Sequence, residues 1–248
     1  MSLLSKFKND PLLGKVLRSS GALFSSNTIS LGLSVLQGVL VTRLLGPSGF
    51  GLLGIVMAFA STVNSIFSFR MSELVVRYGG EYLNKGEKDK ASAIIKAAGL
   101  TEGIVSLFAF FVVMLTAELA EQILAKTPGV AWMFTVYALG LLANFNTETS
   151  TGILQITDRI KLQGTLNLAQ SIFTTLIIVG AFFLNGTLSI VLGAYLLGKT
   201  ILGLGVFITA QVQLHRVLGN GWWKTPFSKL TSTRELIRFA FSSNISAT

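Results

Sequence analysis

The sequence has no cysteine, which excludes disulfides and thiolate metal sites. It has one histidine, His215, beside Arg216 just past an apolar run. A transition-metal site needs several such donors together, so His215 reads as an interfacial polar residue. Charge is also scarce: 12% of the 248 residues are Asp, Glu, Lys or Arg. A soluble domain uses about 25% to cover its water-facing surface, which argues against one here. The N-terminal "MSLLSKFKNDPLLGKVLRSSG" lacks an apolar core with a small-residue cleavage site, and residues 1–20 read as a retained amphipathic lead-in on the cytoplasmic side.

Long apolar runs take the place of charge. Hydrophobic residues make up 51% of the chain, and "IVSLFAFFVVML" (104–115), "SIFTTLIIVGAFFL" (171–184) and "LSIVLGAYLLGKTILGLGVFITA" (188–210) are too continuous for a water-soluble core. The last alone supplies the ~20 residues that cross a ~30 Å hydrocarbon layer. Six membrane helices are predicted, at 21–43, 50–69, 96–116, 130–148, 165–184 and 188–210, and a seventh begins near 236. Short turns such as "GPSG" (46–49), "TPG" (127–129) and "NGT" (185–187) join antiparallel hairpins, the last read as a tight turn and not as a glycosylation site. With the N-terminus inside, seventeen of the twenty Lys and Arg fall on cytoplasmic segments, leaving Arg43 and Lys126 outside and Lys199 within a span. The net charge of +9 is therefore topology, which removes the case for nucleic-acid binding. Residues 211–235 form a cytoplasmic amphipathic connector in which Trp222 and Trp223, near Lys224 and Phe227, resemble an interfacial belt.

Polar residues recur along the predicted spans at helical spacing. Ser26, Ser30, Ser34 and Gln37 share one face of the first, with Asn27 alongside; Ser61, Ser65 and Ser68 mark the second; Gln163, Asn167, Gln170 and Thr174 mark the fifth. Serines serve helix packing as well as cavity lining, whereas repeated Asn and Gln favour a cavity. Lys199 lies midway along the sixth span and Glu102 about one and a half turns into the third. A charge there costs at least ~2.5 kcal/mol without a partner, a cavity or the interface. A Lys199–Glu102 pair, or snorkelling of Glu102 to the cytoplasmic face, would be purely structural answers. Arg43 could equally be an interface anchor. "GAYLLGKT" (193–200) has the spacing of a phosphate-binding P-loop, yet it sits inside an apolar run and no aspartate follows Asp158. The stretch reads instead as membrane helix, with Gly193 and Gly198 allowing close packing.

Three stretches in chain order, "VTRLLGPSGFGLLGIVMAF" (41–59), "SFRMSELVVRYGGEYLNKGEKDKASAIIKAA" (68–98) and "GILQITDRIKLQGTLNLAQ" (152–170), resemble the polysaccharide transport family of lipid-linked oligosaccharide flippases. That family, which includes the O-antigen type, shares a superfamily with multidrug and toxic-compound exporters. The resemblance implies an all-α integral membrane protein of two six-helix lobes around a cavity that opens alternately to either side of a bacterial or archaeal cell membrane. It also implies movement of an undecaprenyl-pyrophosphate-linked glycan to the outer leaflet, with cationic cavity residues receiving the pyrophosphate. On that reading residues 21–210 are the N-terminal lobe and 236–248 start the second. "FSSN" at 24–27 and 241–244 follows an arginine, Arg18 or Arg238, at the same point of helices one and seven.

Within the implied mechanism Lys199 is the phosphate-facing cation and Arg43 a second one. Asn27, Gln37, Asn167 and Gln170 are neutral lining, and Glu102 is a partner or coupling group. The partners are the bilayer, the lipid-linked glycan and a coupling ion, H+ or Na+; no cofactor, nucleotide or covalent step enters. A cation-coupled multidrug exporter competes with this reading, but it calls for cavity carboxylates, of which Glu102 is the one so placed. A non-transporting scaffold would turn the polar stripes toward neighbouring helices.

Overall fold

In hydrocarbon every backbone N–H and C=O must be bonded within the protein, and a helix does this locally. The computed structural model describes residues 11–230, of which 11–20, 22 and 23 by backbone alone, and its regular structure is entirely helical. The first half of the lead-in (residues 1–10), the seventh helix at 236–248 and the second "FSSN" lie outside the described residues. The elements are α1 (Pro11–Phe67), α2 (Met71–Leu74), a π-helical turn (Val75–Gly79), α3 (Gly80–Asn84) and α4 (Lys88–Ala120), which runs into a second π-helical turn (Glu121–Ala125). Then come α5 (Ala131–Ala143), α6 (Thr147–Ile156), α7 (Lys161–Phe183) and α8 (Leu188–Leu218). Two 3-10 turns follow, Trp222–Lys224 and Phe227–Lys229.

Four helical stretches are long and apolar enough to cross a membrane: Phe24–Asn84, Lys88–Ala125, Lys161–Phe183 and Leu188–Leu218. The first is more than one crossing, since the 57 residues of α1, if straight, would extend roughly 85 Å. It is interrupted at Gly46, whose φ of 73° and ψ of 172° are outside the helical region. Proline bars its predecessor from helical geometry, glycine tolerates positive φ, and Pro47 suits the first position of a new helix. The two arms then lie side by side, because Ser34, Gln37 and Gly38 share a cavity with Phe50, Leu53 and Met57. The "GPSG" turn is thus a single-residue reversal.

The predicted fourth span, 130–148, differs. α5 has 13 residues, ends at Ala143 and gives way to a break at 144–146 before α6. Asparagine side chains compete there for backbone groups. Asn144 donates its amide to the carbonyls of Gly140 (2.8 Å) and Lys199 (3.2 Å), while Asn146 donates to that of Gly99 (3.0 Å). The connectors are also more helical than expected. Residues 71–84 and 147–156 coil because they bury apolar faces, and α8 continues past 210 to Leu218 for the same reason.

Two apolar clusters result. One holds Val41, Leu53, Val56, Val113, Phe134, Ile178 and Leu192, at the half of the bundle that includes the Gly46 reversal. The other holds Met71, Val75, Ile95, Ile153 and Leu214, at the half where the long connectors gather. Large apolar side chains also face outward, with Leu31 67% and Leu115 78% exposed, as suits a lipid-facing surface.

Glycines set the closest helix contacts, though not both of the expected ones. A Cβ on Gly198 would meet Thr174 and Gln170 of α7, whereas one on Gly193 would meet nothing within 4 Å. Gly193 therefore mediates no packing contact among the described residues. Gly203 does, since a Cβ there would overlap the Ala143 carbonyl at the end of α5. Overpacking a buried site costs about 1–3 kcal/mol. Gly203→Leu should accordingly lower the melting temperature of the detergent-solubilised protein by several degrees or eliminate its folded peak on size exclusion, while Gly193→Ala should leave both unchanged.

Candidate functional site

Each element that crosses between the two clusters changes from apolar to polar at the same level. On α4, Ala98 belongs to one cluster and Ala109 to the other, with Glu102 and Ser106 between them. On α8, Ala194 and Ala210 flank Lys199 in the same way. Leu141 and Ile153 bracket Asn144, Thr147 and Glu148; Val63 and Met71 bracket Asn64 and Ser68. These polar residues together line a cavity of about 220 Å³.

The α5–α6 break puts a helix start in the middle of the bundle, and a helix start has backbone N–H groups with no partner of their own. Glu102 supplies the acceptor. Its two carboxylate oxygens accept the N–H groups of Glu148 and Thr149, each at 2.8 Å. The positive end of the helix dipole favours an anion at that point. Glu102 consequently neither snorkels to an interface nor forms an ion pair with Lys199.

Lys199 projects into the same cavity. Its stem packs over Gly140, and its ammonium is 5.1 Å from the centre of the Tyr137 ring, a cation–π contact. Three ion pairs, Arg70–Glu73, Lys85–Glu81 and Lys90–Glu87, lie at the connectors, and among the described residues Lys199 joins none. A buried ammonium keeps three donors. Within "GAYLLGKT" the lysine alone faces a polar space, because the backbone amides of the stretch belong to the α8 ladder.

Glu148 is a cavity carboxylate that the span pattern does not reveal. One of its oxygens accepts the Ser72 hydroxyl at 2.6 Å, linking α6 to α2. A continuous helix over 130–148 would leave it at a membrane edge. The signal that could have found it is "NFNTE" (144–148), where asparagine and threonine ahead of glutamate resemble a helix start.

The other predicted lining residues lie elsewhere. Gln37, 4% exposed, donates its amide to the Ser171 carbonyl (3.2 Å) and the Thr175 hydroxyl (2.8 Å), tying α1 to α7. It also borders the separate cavity of about 430 Å³ between the arms of α1. Asn167 donates to Asn27 at 3.1 Å, and Gln170 donates to Asn167 (3.4 Å) and Ser171 (3.1 Å), extending the α1–α7 seam as a hydrogen-bonded ladder. Gln170 reaches α8 beside Gly198, one residue before Lys199. Arg43 is exposed near the Gly46 reversal. Of the predicted set, then, Lys199 and Glu102 share one chamber, the four amides follow the seam, and Arg43 is separate.

The chain is similar to the inner membrane protein YghQ of Escherichia coli (strain K12), with 25% identity over 150 residues. That alignment takes in 59% of this chain and 41% of the relative, so the chain matches less than half of that protein's length. No solved structure matches the chain. The model of the family described as polysaccharide biosynthesis protein matches residues 16–247, nearly the whole sequence and including all the elements that build the Lys199 chamber. This helical chain, with four stretches apolar enough to cross a bilayer and a polar layer between two apolar clusters, belongs to the polysaccharide biosynthesis protein family.

Proposed function

We propose that this chain contributes a six-helix lobe to a flippase of the bacterial inner membrane, with its N-terminus in the cytoplasm. The cargo is an undecaprenyl-pyrophosphate-linked oligosaccharide, moved to the outer leaflet by alternating access. The observation that carries the reading is the Lys199 ammonium, held at mid-height in a polar chamber and absent from every ion pair among the described residues. A buried charge kept without a counter-charge is costly, which supports a transient anionic partner such as a phosphate. The family match and an inner membrane relative support the setting. Asn27, Asn167 and Gln170 along the α1–α7 seam would offer hydroxyl-matching donors and acceptors to a glycan, with Gln37 fixing the seam behind them. Arg43, at the opposite end, would meet phosphate only on release.

One observation favours a second reading. Glu148 adds a second carboxylate to the Glu102 chamber, which suits a cation-coupled multidrug exporter, with H+ or Na+ as the coupling ion. The two readings part at Lys199. In cells that depend on this protein for surface glycan, Lys199→Ala should abolish export while membrane insertion is retained, and Lys199→Arg should restore part of it. Full export by Lys199→Ala would refute the phosphate role. Loss of drug resistance in Glu148→Gln with normal glycan export would favour the exporter.

Glu102 generates a separate expectation. Glu102→Ala leaves two buried N–H groups without their acceptor, at a cost of about 1–3 kcal/mol each. Its melting temperature should fall well below that of Lys199→Ala, which removes a buried charge and orphans no amide. Equal melting of the two variants would show that the capping contact is dispensable.

A further inference from the structure

Across the α5–α6 break from the Lys199 chamber, α4 and α8 diverge around a groove of about 440 Å³. We propose that this groove binds an anionic glycerophospholipid from the leaflet on the connector side, with an acyl chain along α4 and the phosphate at Lys96. The proposal is independent of what the Lys199 chamber carries.

The groove has a depth because α4 has glycine at 99 and 103. A Cβ at Gly99 would come within 2.8 Å of the Asn146 amide, and one at Gly103 within 3.6 Å of the Phe145 ring. Leu100, Ile104 and Leu107 form one wall and Phe207 of α8 the other. Ile104 is 68% exposed, an apolar surface that suits a hydrocarbon chain and not water.

Length and polarity match a single leaflet. From Lys96 at the mouth to Leu107 at the far end, α4 rises roughly 16 Å, about half of a ~30 Å hydrocarbon layer. The mouth opens among the connectors, where Trp222 and Trp223 sit, the aromatic pair that membrane interfaces favour. Trp222 packs into the second apolar cluster, and Trp223 is 47% exposed and contacts His215.

Charge selects the headgroup. The Lys96 ammonium donates one hydrogen bond, to the Thr225 carbonyl at 3.2 Å, and lies 4.4 Å from the Phe227 ring centre. Two of its three donors are left for a phosphate. Among the described residues, no acidic side chain lines the groove and Lys96 joins no ion pair. A lipid with net negative charge fits this mouth better than a zwitterion, whose cationic group would have no carboxylate to meet.

The test uses the full chain in nanodiscs. Trp132→Phe leaves Trp222 and Trp223 as the only tryptophans. Their fluorescence is then titrated with phosphatidylglycerol or phosphatidylcholine carrying a doxyl quencher high on the acyl chain. Phosphatidylglycerol should quench at least twofold more strongly at equal mole fraction. The excess should vanish in Lys96→Gln and persist in Lys96→Arg, both judged folded by an unchanged elution profile. Equal quenching by the two lipids, or an excess that survives Lys96→Gln, would overturn the proposal.

Discussion

The hydrogen bonds from the Glu148 and Thr149 amides to the Glu102 carboxylate are the contact on which the middle of this molecule depends. A helix that breaks within an apolar bundle leaves donors without partners, each costing about 1–3 kcal/mol if left unpaired. Glu102 removes that penalty, and the donors and the positive end of the helix dipole offset part of the cost of burying its carboxyl. Asn144 satisfies the Gly140 carbonyl at the end of α5, and Asn144 and Asn146 also tie the break to the backbones of α8 and α4 at Lys199 and Gly99. The α5–α6 junction is therefore a satisfied polar joint, and irregular backbone at this depth is tolerable where it borders a cavity.

From that joint the division into two apolar clusters follows. Every chain segment passing the level of Glu102 and Asn144 has to present something polar or small to it, and the bundle answers with Ser106, Asn64, Ser68 and Lys199. The clusters on either side then pack separately. The Gly203 contact with the Ala143 carbonyl brings α8 close enough for the Lys199 carbonyl to accept from Asn144. One lysine thus serves the joint through its backbone while its side chain points to the chamber.

Much of the architecture was legible from residues alone. Gly46–Pro47 announced its reversal because proline and positive φ act locally, and the apolar runs announced α4, α7 and α8 through length and composition. Lys199 and Glu102 stood out because charge in a membrane helix is rare. What the pattern missed is long-range. A run such as 130–148 reads as one helix until the asparagines at 144 and 146 are seen to bond Lys199 and Gly99, partners 55 and 47 residues away. Glu148 was hidden for the same reason, and Gly193 looked like Gly198 because sequence does not say which glycine faces a neighbour. Gln37 was expected as neutral lining of the substrate path; its partners on α7 make it a tie across helices, at the edge of the cavity between the arms of α1.

The described residues distribute polarity by face. The seam between α1 and α7 carries neutral amides, the chamber behind it carries one cation and two carboxylates, and the outside of α4 carries hydrocarbon with a lysine only at its mouth. Neutral donors and acceptors exchange partners with sugars or water at little cost, whereas fixed charge in low dielectric holds on to whatever compensates it. On the proposed reading, a path lined by the first and punctuated by the second would bind an ionic group at one depth and let a polar remainder slide. The joint at Glu102 contributes to that separation, since its carboxylate is occupied by backbone, the Glu148 carboxylate accepts from Ser72, and Lys199 forms an ion pair with neither.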